Sequence, residues 1–288
     1  MRRKNASNIV LISGVMLSIF TGVVLKNIFL AMIVSVGTLL CLIYKQRASF
    51  KAGAADKAYK KGDIEKSFKL YEEACGLNDC EVMIKMTYAY RLMAEGHTKQ
   101  SSQLLKGLNY NEMTKIEQLN YNATNALIIW KEGNIRRAID IYEALLHDKE
   151  SMLIYETLGY LYNEARAYLK GIELSKKGLE LYPKNERIQT NLATSYRHQG
   201  EKRQAIKEYK ALISEYALIA EPYYEYSLML ENDGRYKSAK KYLTMALDRK
   251  YIPLYSLTKE QVAIVLERVE EKVIDDDEEI VDYKEEAL

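Results

Sequence analysis

The sequence predicts an all-α protein in which an N-terminal membrane hairpin precedes an array of antiparallel helix pairs. Three observations predict this fold class. Two apolar runs lie together at the N-terminus, Gly-polar turns recur at a nearly constant interval through most of the chain, and only 3 Pro and 14 Gly occur in 288 residues. A chain with so few helix breakers and so many aliphatic and aromatic residues can bury a core over most of its length.

Charge is distributed unevenly along the chain. Residues 1–47 hold six basic and no acidic side chains, residues 270–288 hold ten acidic and two basic ones, and the middle holds 34 basic and 30 acidic ones. Nucleic-acid binding needs a stripe of Lys and Arg that displaces counterions from phosphates. The balanced middle therefore argues against a nucleic-acid partner. The abundance of Lys, Ile, Asn and Tyr indicates an AT-rich, bacterial-like genome.

The apolar runs cover residues 9–25 and 28–44, with Lys26 and Asn27 between them. Each run of seventeen residues reaches about 25 Å as a helix, near the lower limit for a hydrocarbon core of roughly 30 Å. One continuous helix would place Lys26 near the bilayer centre, which is costly. We therefore expect two transmembrane helices joined by a tight turn, and a membrane anchor over residues 1–47.

Basic residues flank both runs: Arg2, Arg3 and Lys4 precede the first, and Lys45 and Arg47 follow the second. The positive-inside rule then predicts a two-span protein of the cell membrane with both termini and the repeat region in the cytoplasm. A cleaved signal peptide is the competing interpretation. No Ala-x-Ala site ends the first run, and a second run follows at once.

Small residues recur along the two runs and would let two helices approach closely. The alternative is that they are ordinary small residues of a membrane span. The set is Gly14, Gly22, Gly37, Ser13, Ser18 and Ser35.

The repeat is measured by its turns. Gly-polar pairs begin at positions 62, 96, 133, 200 and 234, at intervals of 34, 37, 67 and 34 residues. The interval of 67 contains one more unit, whose turn is Ala165-Arg166. Six units over residues 48–254 therefore start near 48, 82, 119, 152, 186 and 220, and a period of this length indicates a helical repeat architecture.

Small residues at two fixed positions of every unit support this alignment. They let the two helices of a pair come close, while larger residues at the eleventh and twenty-fourth positions fill the space between them. The eighth position holds Ala55, Ala89, Ala126, Gly159, Ala193 and Ser227, and the twentieth holds Ser67, Ser101, Ala138, Gly171, Ala205 and Ala239.

These residues make the chain similar to a tetratricopeptide repeat (TPR) protein. The fourth unit resembles the family pattern well, with Leu158-Gly159, Tyr162 and the closing Pro183. Most units lack that Pro, and the early Trp of the family is absent. The resemblance implies a right-handed superhelical solenoid of TPR-like helix pairs whose first helices line a concave, protein-binding groove.

The resemblance also implies which side chains face the groove, namely those at the second, fifth, ninth and twelfth positions. For the Met row of the second unit, partner binding and packing on neighbouring repeats remain equal alternatives. The predicted partner-binding residues are Met83, Met86, Tyr90, Met93, Leu127, Trp130, Tyr160, Asn163, Arg187, Arg197 and Tyr224.

Some TPR proteins carry a clamp of Lys and Asn that holds the acidic C-terminus of a chaperone. The corresponding positions here would be Ala52 and Asp56, or Ala123 and Leu127. We therefore expect no binding of a chaperone C-terminus.

The end of the array has its own signals. Thr258 and Gln261 form a capping box, and Val262, Val265, Leu266, Val269 and Val273 form one apolar stripe, so residues 255–273 are predicted to be a capping helix. Residues 274–288 are predicted to be an acidic, flexible tail. One hypothesis is that this tail folds back onto Arg187, Arg197 or Lys202 and blocks the groove.

No catalytic, cofactor or metal site is predicted. The three His residues lie about fifty positions apart in settings that do not suggest a nucleophile, and Cys41, Cys75 and Cys80 are too few for a disulfide framework. The predicted function is a membrane-tethered scaffold that binds a protein or peptide in its groove on the cytoplasmic side. The alternative is a peptide-responsive regulator, and an enzyme is the least favoured class.

Overall fold

The structure is a computed structural model that describes residues 2–24 and 26–273, so the predicted acidic tail lies outside the described residues. The all-α prediction is confirmed: within these ranges the only β-structure is one isolated bridge between Ile219 and Lys250. The helices are α1 (Arg2–Ile19), a π-helical turn (Phe20–Val24), α2 (Ile28–Lys45), α3 (Arg47–Lys60), α4 (Ile64–Cys75), α5 (Val82–Ala94), α6 (Thr98–Lys106), a 3-10 turn (Tyr110–Glu112), α7 (Lys115–Lys131), α8 (Ile135–Asp148), α9 (Met152–Glu164), α10 (Tyr168–Leu181), α11 (Glu186–Gln199), α12 (Lys202–Ser214), α13 (Glu221–Asn232), α14 (Tyr236–Leu247) and α15 (Lys259–Val273).

The chain divides into two compact units. The first comprises Met1–Ala89 and Gln103–Glu117, and the second comprises Tyr90–Ser102 and Gln118–Leu288.

In the first unit, α1 and α2 form an antiparallel hairpin. The hydroxyls of Ser18 and Ser35 lie 2.7 Å apart, and a Cβ added to Gly14 would lie 2.3 Å from the side chain of Thr38. Lys26 takes a left-handed conformation, and the side chain of Asn27 accepts a hydrogen bond from the amide of Leu30, which caps α2. Gly14, Ser18 and Ser35 therefore lie in the seam of the hairpin, whereas Gly37 meets no neighbouring atom within 4 Å of an added Cβ.

The outer faces of the hairpin are apolar and exposed; Val23, Ile28 and Phe29 are each at least 70% exposed. By length and composition, one helix among the described residues, Ile28–Lys45, could cross a membrane, and the apolar helix Val10–Val24 is shorter.

Helix α3 follows α2 after the single residue Gln46. The guanidinium of Arg47 lies over the ring of Tyr44 and donates a hydrogen bond of 3.1 Å to Asp79, which ties the start of α3 to the loop before α5. Between α3 and α4, the fully buried Tyr71 donates a hydrogen bond to Asp56 and stacks on Tyr88.

Every predicted turn contains a residue in the left-handed region. The five turn glycines have φ between 76° and 97°, and the fourth turn has Arg166 at φ 59° in the same place. Glycine adopts this conformation without steric cost, whereas a side chain does so at roughly 1–2 kcal/mol.

The twelve small residues at the eighth and twentieth positions are all buried. At Gly171 an added Cβ would lie 2.4 Å from the Oγ of Ser195, so this contact leaves no room for a side chain. Buried tyrosines fill the space at the twenty-fourth position: the hydroxyl of Tyr142 donates to the carbonyl of Ala123, and that of Tyr209 lies 3.0 Å from the hydroxyl of Thr194.

Helix α15 closes the second unit. The predicted capping box is confirmed, since Thr258 and Gln261 exchange side-chain to backbone hydrogen bonds of 2.8 and 3.2 Å. Val262, Val265 and Val269 are buried in a core with residues of α11 to α14. The helix is therefore packed against the array along its apolar stripe.

Candidate groove site

A cavity of about 250 Å³ lies along α9, α11 and α13, all in the second unit. It is closed on one side by the segment that precedes α15. Its lining comprises Tyr160, Asn163 and Glu164 of α9; Arg187, Thr190, Asn191, Thr194 and His198 of α11; Glu221, Tyr224 and Glu225 of α13; and Tyr255, Ser256, Leu257 and Gln261.

Helical periodicity places these side chains on one wall. Positions 187, 191, 194 and 198 of α11 are separated by four, three and four residues, which is the spacing of one helix face. Polar residues occupy this face because the opposite face of α11 supplies the core, with Ile188, Leu192 and Tyr196 buried there. The amphipathic pattern of α11 thus builds a polar wall on an apolar support.

A buried ion pair forms the floor of the cavity. Nη1 of Arg187 donates a 2.9 Å hydrogen bond to Oε1 of Glu221, and both side chains are close to 90% buried. Burial lowers the pKa of the Arg187 guanidinium, but Glu221, together with Tyr255 and Glu156, outweighs burial and the pKa is raised overall. The two remaining terminal atoms, Nη2 of Arg187 and Oε2 of Glu221, have no hydrogen-bond partner within the described part of the chain.

Further ion pairs join α11 and α12 to α13. Arg197 pairs with Glu225, and Lys202 pairs with Asp233. The hypothesis of an acidic tail that blocks the groove places the tail on Arg187, Arg197 or Lys202. Each of these residues has a carboxylate partner from the next repeat. These partners compete with such a tail for the three basic side chains, and the hypothesis stays a prediction because the tail lies outside the described residues.

Reciprocal amide contacts fix the spacing of α9 and α11. Asn191 donates to the backbone carbonyl of Glu156 at 2.8 Å, and Asn163 donates to the backbone carbonyl of Asn191 at 3.0 Å. The Oδ1 of Asn163 accepts a hydrogen bond from Ser195. A Cβ at Gly159 would lie 2.8 Å from the Asn191 amide, so glycine is needed for this approach. Asn163 thus positions the wall of the groove.

An aromatic cluster forms one end of the cavity. The ring of Tyr160 meets Trp130 edge to face at 5.5 Å and Tyr255 at 4.5 Å, while the guanidinium of Arg187 lies 4.1 Å from the centre of the Tyr255 ring. Burial, with the nearby Glu164 carboxylate, raises the pKa of Tyr160 to about 12. Its hydroxyl is therefore protonated at neutral pH and can both donate and accept.

His198 lies at the rim, stacked on Tyr168 with ring centres 5.1 Å apart. Partial burial lowers its pKa, and the positive charges of Arg197 and Arg166 lower it further. The imidazole is neutral at physiological pH.

The predicted groove residues fall into three environments. Tyr160, Asn163, Arg187 and Tyr224 line the cavity, and Arg197 supports it through Glu225. Met86, Met93 and Leu127 are at most 2% exposed, because they pack in the interior, and offer no surface to a partner. Met83 and Tyr90 are half-buried, and Trp130 is 9% exposed behind Tyr160.

Sequence reasoning missed two parts of the site. One part is the acidic pair Glu221 and Glu225. Glu221 lies one repeat of 34 residues after Arg187, which is a readable pairing signal, whereas Glu225 lies only 28 residues after Arg197 and gives none. Tyr255 and Ser256 were assigned to the capping helix, which begins instead at Lys259. Hydrophobic periodicity identifies helices, and it gives no signal for the loop before α15 that packs against the cavity.

Among the described residues, no group of three or more His, Cys, Asp or Glu side chains could hold a metal ion. The cavity offers hydrogen-bond donors and acceptors, an aromatic wall and neutralised charges. This chemistry suits an extended peptide, whose backbone needs both donors and acceptors and whose side chains need pockets.

Comparison with known proteins identifies the fold. No family model matches the chain, and no curated protein matches it in sequence. Among solved structures, a tetratricopeptide repeat protein from Parabacteroides merdae ATCC 43184 is similar with a TM-score of 0.62 at 13% identity, covering 83% of this chain and 93% of that one.

The pilF protein of Pseudomonas aeruginosa is similar with a TM-score of 0.50 at 16% identity, over 67% of this chain and 85% of that one. A MamA protein aligns with a TM-score of 0.42 at 18% identity, over 60% of this chain and 97% of that one. The similarity to the Parabacteroides merdae structure shows that the described helix pairs have the fold of TPR proteins, as the sequence predicts.

Proposed function

We propose that this chain is a membrane-tethered scaffold that binds a peptide segment of a partner protein in the cavity along α9, α11 and α13. The observation that carries the proposal is the cavity itself. It combines a buried ion pair with two unpaired polar atoms, an aromatic wall and an opening between first helices of successive repeats. Repeat arrays bind partners on such surfaces.

The membrane part of the proposal rests on the hairpin. The two helices are apolar, and the larger side chains of their outer faces are exposed. Small and hydroxylated residues meet between them. An apolar surface of this extent requires an apolar environment. Two spans, with basic flanks in the cytoplasm, would hold the repeats on that side of the bilayer.

Membrane tethering is tested by alkaline extraction of cell membranes. The chain should stay in the pellet, and replacing the exposed Leu17 and Leu39 by Asp should release it, because charged residues in a bilayer core are costly. Trypsin should reach the repeats in inside-out vesicles and not in sealed cells. A wild-type chain found in the supernatant would end this part of the proposal.

Groove binding is tested by partner capture from solubilised membranes with two matched variants. Glu164 and Glu180 are both exposed helix residues, but Glu164 lines the cavity and Glu180 lies on α10 away from its lining. Glu164→Arg should lower partner recovery on the order of tenfold, the loss typical of a disrupted hot spot. Glu180→Arg, with the same charge change, should leave recovery intact; equal effects would contradict a groove site.

A further inference from the structure

The loop between α14 and α15, residues 248–258, returns across the face of the array; we name it the crossing segment. Its start is held by a short parallel bridge, in which the amide of Lys250 donates to the carbonyl of Leu218 at 2.9 Å and the carbonyl of Lys250 accepts from the amide of Ala220 at 3.1 Å. Leu254 and Tyr255 are 2% and 7% exposed. The crossing segment is therefore an ordered part of the second unit.

Its last residues line the groove after a turn, in which the amide of Tyr255 donates to the carbonyl of Ile252 at 2.9 Å. The ring of Tyr255 lies between the guanidinium of Arg187 and the ring of Tyr160. The amide of Ser256 donates to the Tyr160 hydroxyl at 3.0 Å, and the two hydroxyls lie 2.7 Å apart. Leu257 packs against the apolar core. Ser256 and Tyr160 are 96 positions apart in the chain, so their hydrogen bonds are tertiary contacts.

The contacts have the form in which a receptor reads a short peptide. One backbone N–H is hydrogen-bonded, one aromatic side chain fills a cleft between a cation and a ring, and an aliphatic side chain meets the core. None of the three side chains is charged. Arg187, whose guanidinium lies over the Tyr255 ring, is already paired with Glu221, so recognition of this segment depends on shape and hydrogen bonds.

We infer that Tyr255-Ser256-Leu257 is a built-in occupant of the partner site, and that the partner carries a segment with an aromatic, a hydroxylated and an aliphatic residue in this order. This inference rests on the proposed function. The partner segment takes the place of the crossing segment. Its backbone can also offer a carbonyl to Nη2 of Arg187 and an amide to Oε2 of Glu221, the two atoms that lack partners among the described residues.

A partner segment must displace the crossing segment in order to bind, and this competition sets the affinity that the partner needs. A tethered segment acts at an effective concentration on the order of millimolar, so the crossing segment competes with any partner present at lower concentration. Binding in trans should therefore be weak in the wild-type chain and stronger when the internal occupant is weakened.

The experiment uses the full chain in detergent and a fluorescent peptide with the sequence of residues 250–258. Anisotropy should show the peptide binding to the Tyr255→Ala chain at least roughly tenfold more tightly than to wild type, because the aromatic cleft is vacated. A peptide in which the tyrosine corresponding to Tyr255 is Ala should not bind. Affinity should change less than about twofold between about 0.05 and 0.5 M salt, since no net charge is recognised.

Two further variants extend the experiment: one is the substitute if Tyr255→Ala is unfolded, and the other tests the Tyr160 hydroxyl. Ser256→Pro removes the amide hydrogen and the hydroxyl that contact Tyr160 while keeping the groove side chains of α9, α11 and α13, and it replaces Tyr255→Ala if circular dichroism shows that the latter is unfolded. Adding Tyr160→Phe to either variant should lower peptide affinity again, because the hydroxyl that reads the peptide is lost.

The outcomes separate this inference from the proposed function. Equal binding to wild type and the vacated chains, or binding to none of them, overturns the inference even when partner capture remains sensitive to Glu164→Arg. Unchanged capture by Glu164→Arg, with tighter peptide binding to the vacated chains, would instead remove the natural-partner proposal and support the occupant.

Discussion

The hairpin α1–α2 and the helix pairs of α9 to α14 are both antiparallel helix packings, but they distribute residues in opposite ways. In the hairpin, glycine and hydroxyl side chains meet between the helices, and the large apolar side chains are exposed. In the array, large tyrosines and a buried ion pair lie inside, and charged residues cover the outside. This is the difference expected if, as we propose, the hairpin lies in a bilayer and the array in water.

The largest expected effect concerns the polar interior of the array. Glu221→Ala leaves the buried guanidinium of Arg187 without its carboxylate, which should lower the free energy of unfolding by about 3–5 kcal/mol. Urea titration of the full chain in mild detergent, followed by circular dichroism, measures it. Asp233→Ala breaks the more exposed pair with Lys202 and should cost less than about 1 kcal/mol. Similar losses for the two variants would show that the buried pair has no special role.

The next effect tests where small residues are required. Gly171→Leu places a side chain against Ser195 and should lower the free energy of unfolding by about 1–3 kcal/mol or more. Gly37 of the hairpin has no atom within 4 Å of an added Cβ, so Gly37→Leu should change stability by less than about 0.5 kcal/mol. A larger loss for Gly37→Leu would mean that the hairpin has a further packing surface at this position.

A smaller effect of about 1 kcal/mol is expected at the turns of the array. Gly200→Ala forces a side chain into a left-handed conformation and should destabilise the chain, whereas Arg166→Gly relieves the same strain and should stabilise it. Opposite shifts of the unfolding midpoint are the expected result. Shifts in the same direction would indicate that the Arg166 side chain makes contacts worth more than the strain.

The smallest effect is the pH dependence from His198. Its pKa in the folded chain is below the ordinary value near 6.5, so protonation favours unfolding, and stability is lost as the pH falls through the ordinary pKa toward the lowered one. His198→Gln should therefore lose less stability than wild type between about pH 7.5 and about pH 5.5. Parallel pH profiles for the two chains would contradict the assigned shift.

The fold was predictable because helix packing and tight turns each select particular residue types at fixed positions of a repeat. Close helix packing demands small residues at a fixed spacing, and a tight turn demands a left-handed residue, so Ala193 and Gly200 report on structure within their own unit. Even Arg166, which breaks the glycine pattern, occupies the predicted turn.

The site was predictable only in part because it depends on neighbours in space. Position within a repeat selected Arg187 and Tyr160, which face the cavity, but it also selected Met86 and Leu127, which packing buries. The contact between Tyr160 and Ser256 joins residues 96 positions apart through an aperiodic loop. Hydrophobic periodicity carries no information about such a contact.

The central claim, that the face of α9, α11 and α13 meets the partner, is tested most directly by site-specific photo-cross-linking in intact membranes. A benzophenone amino acid placed at His198, exposed at the rim of the cavity, is compared with one at Lys207, exposed on α12. The account predicts a protein adduct from position 198 and none from position 207. An adduct from position 207 without one from position 198 would place the partner on the other face and contradict it.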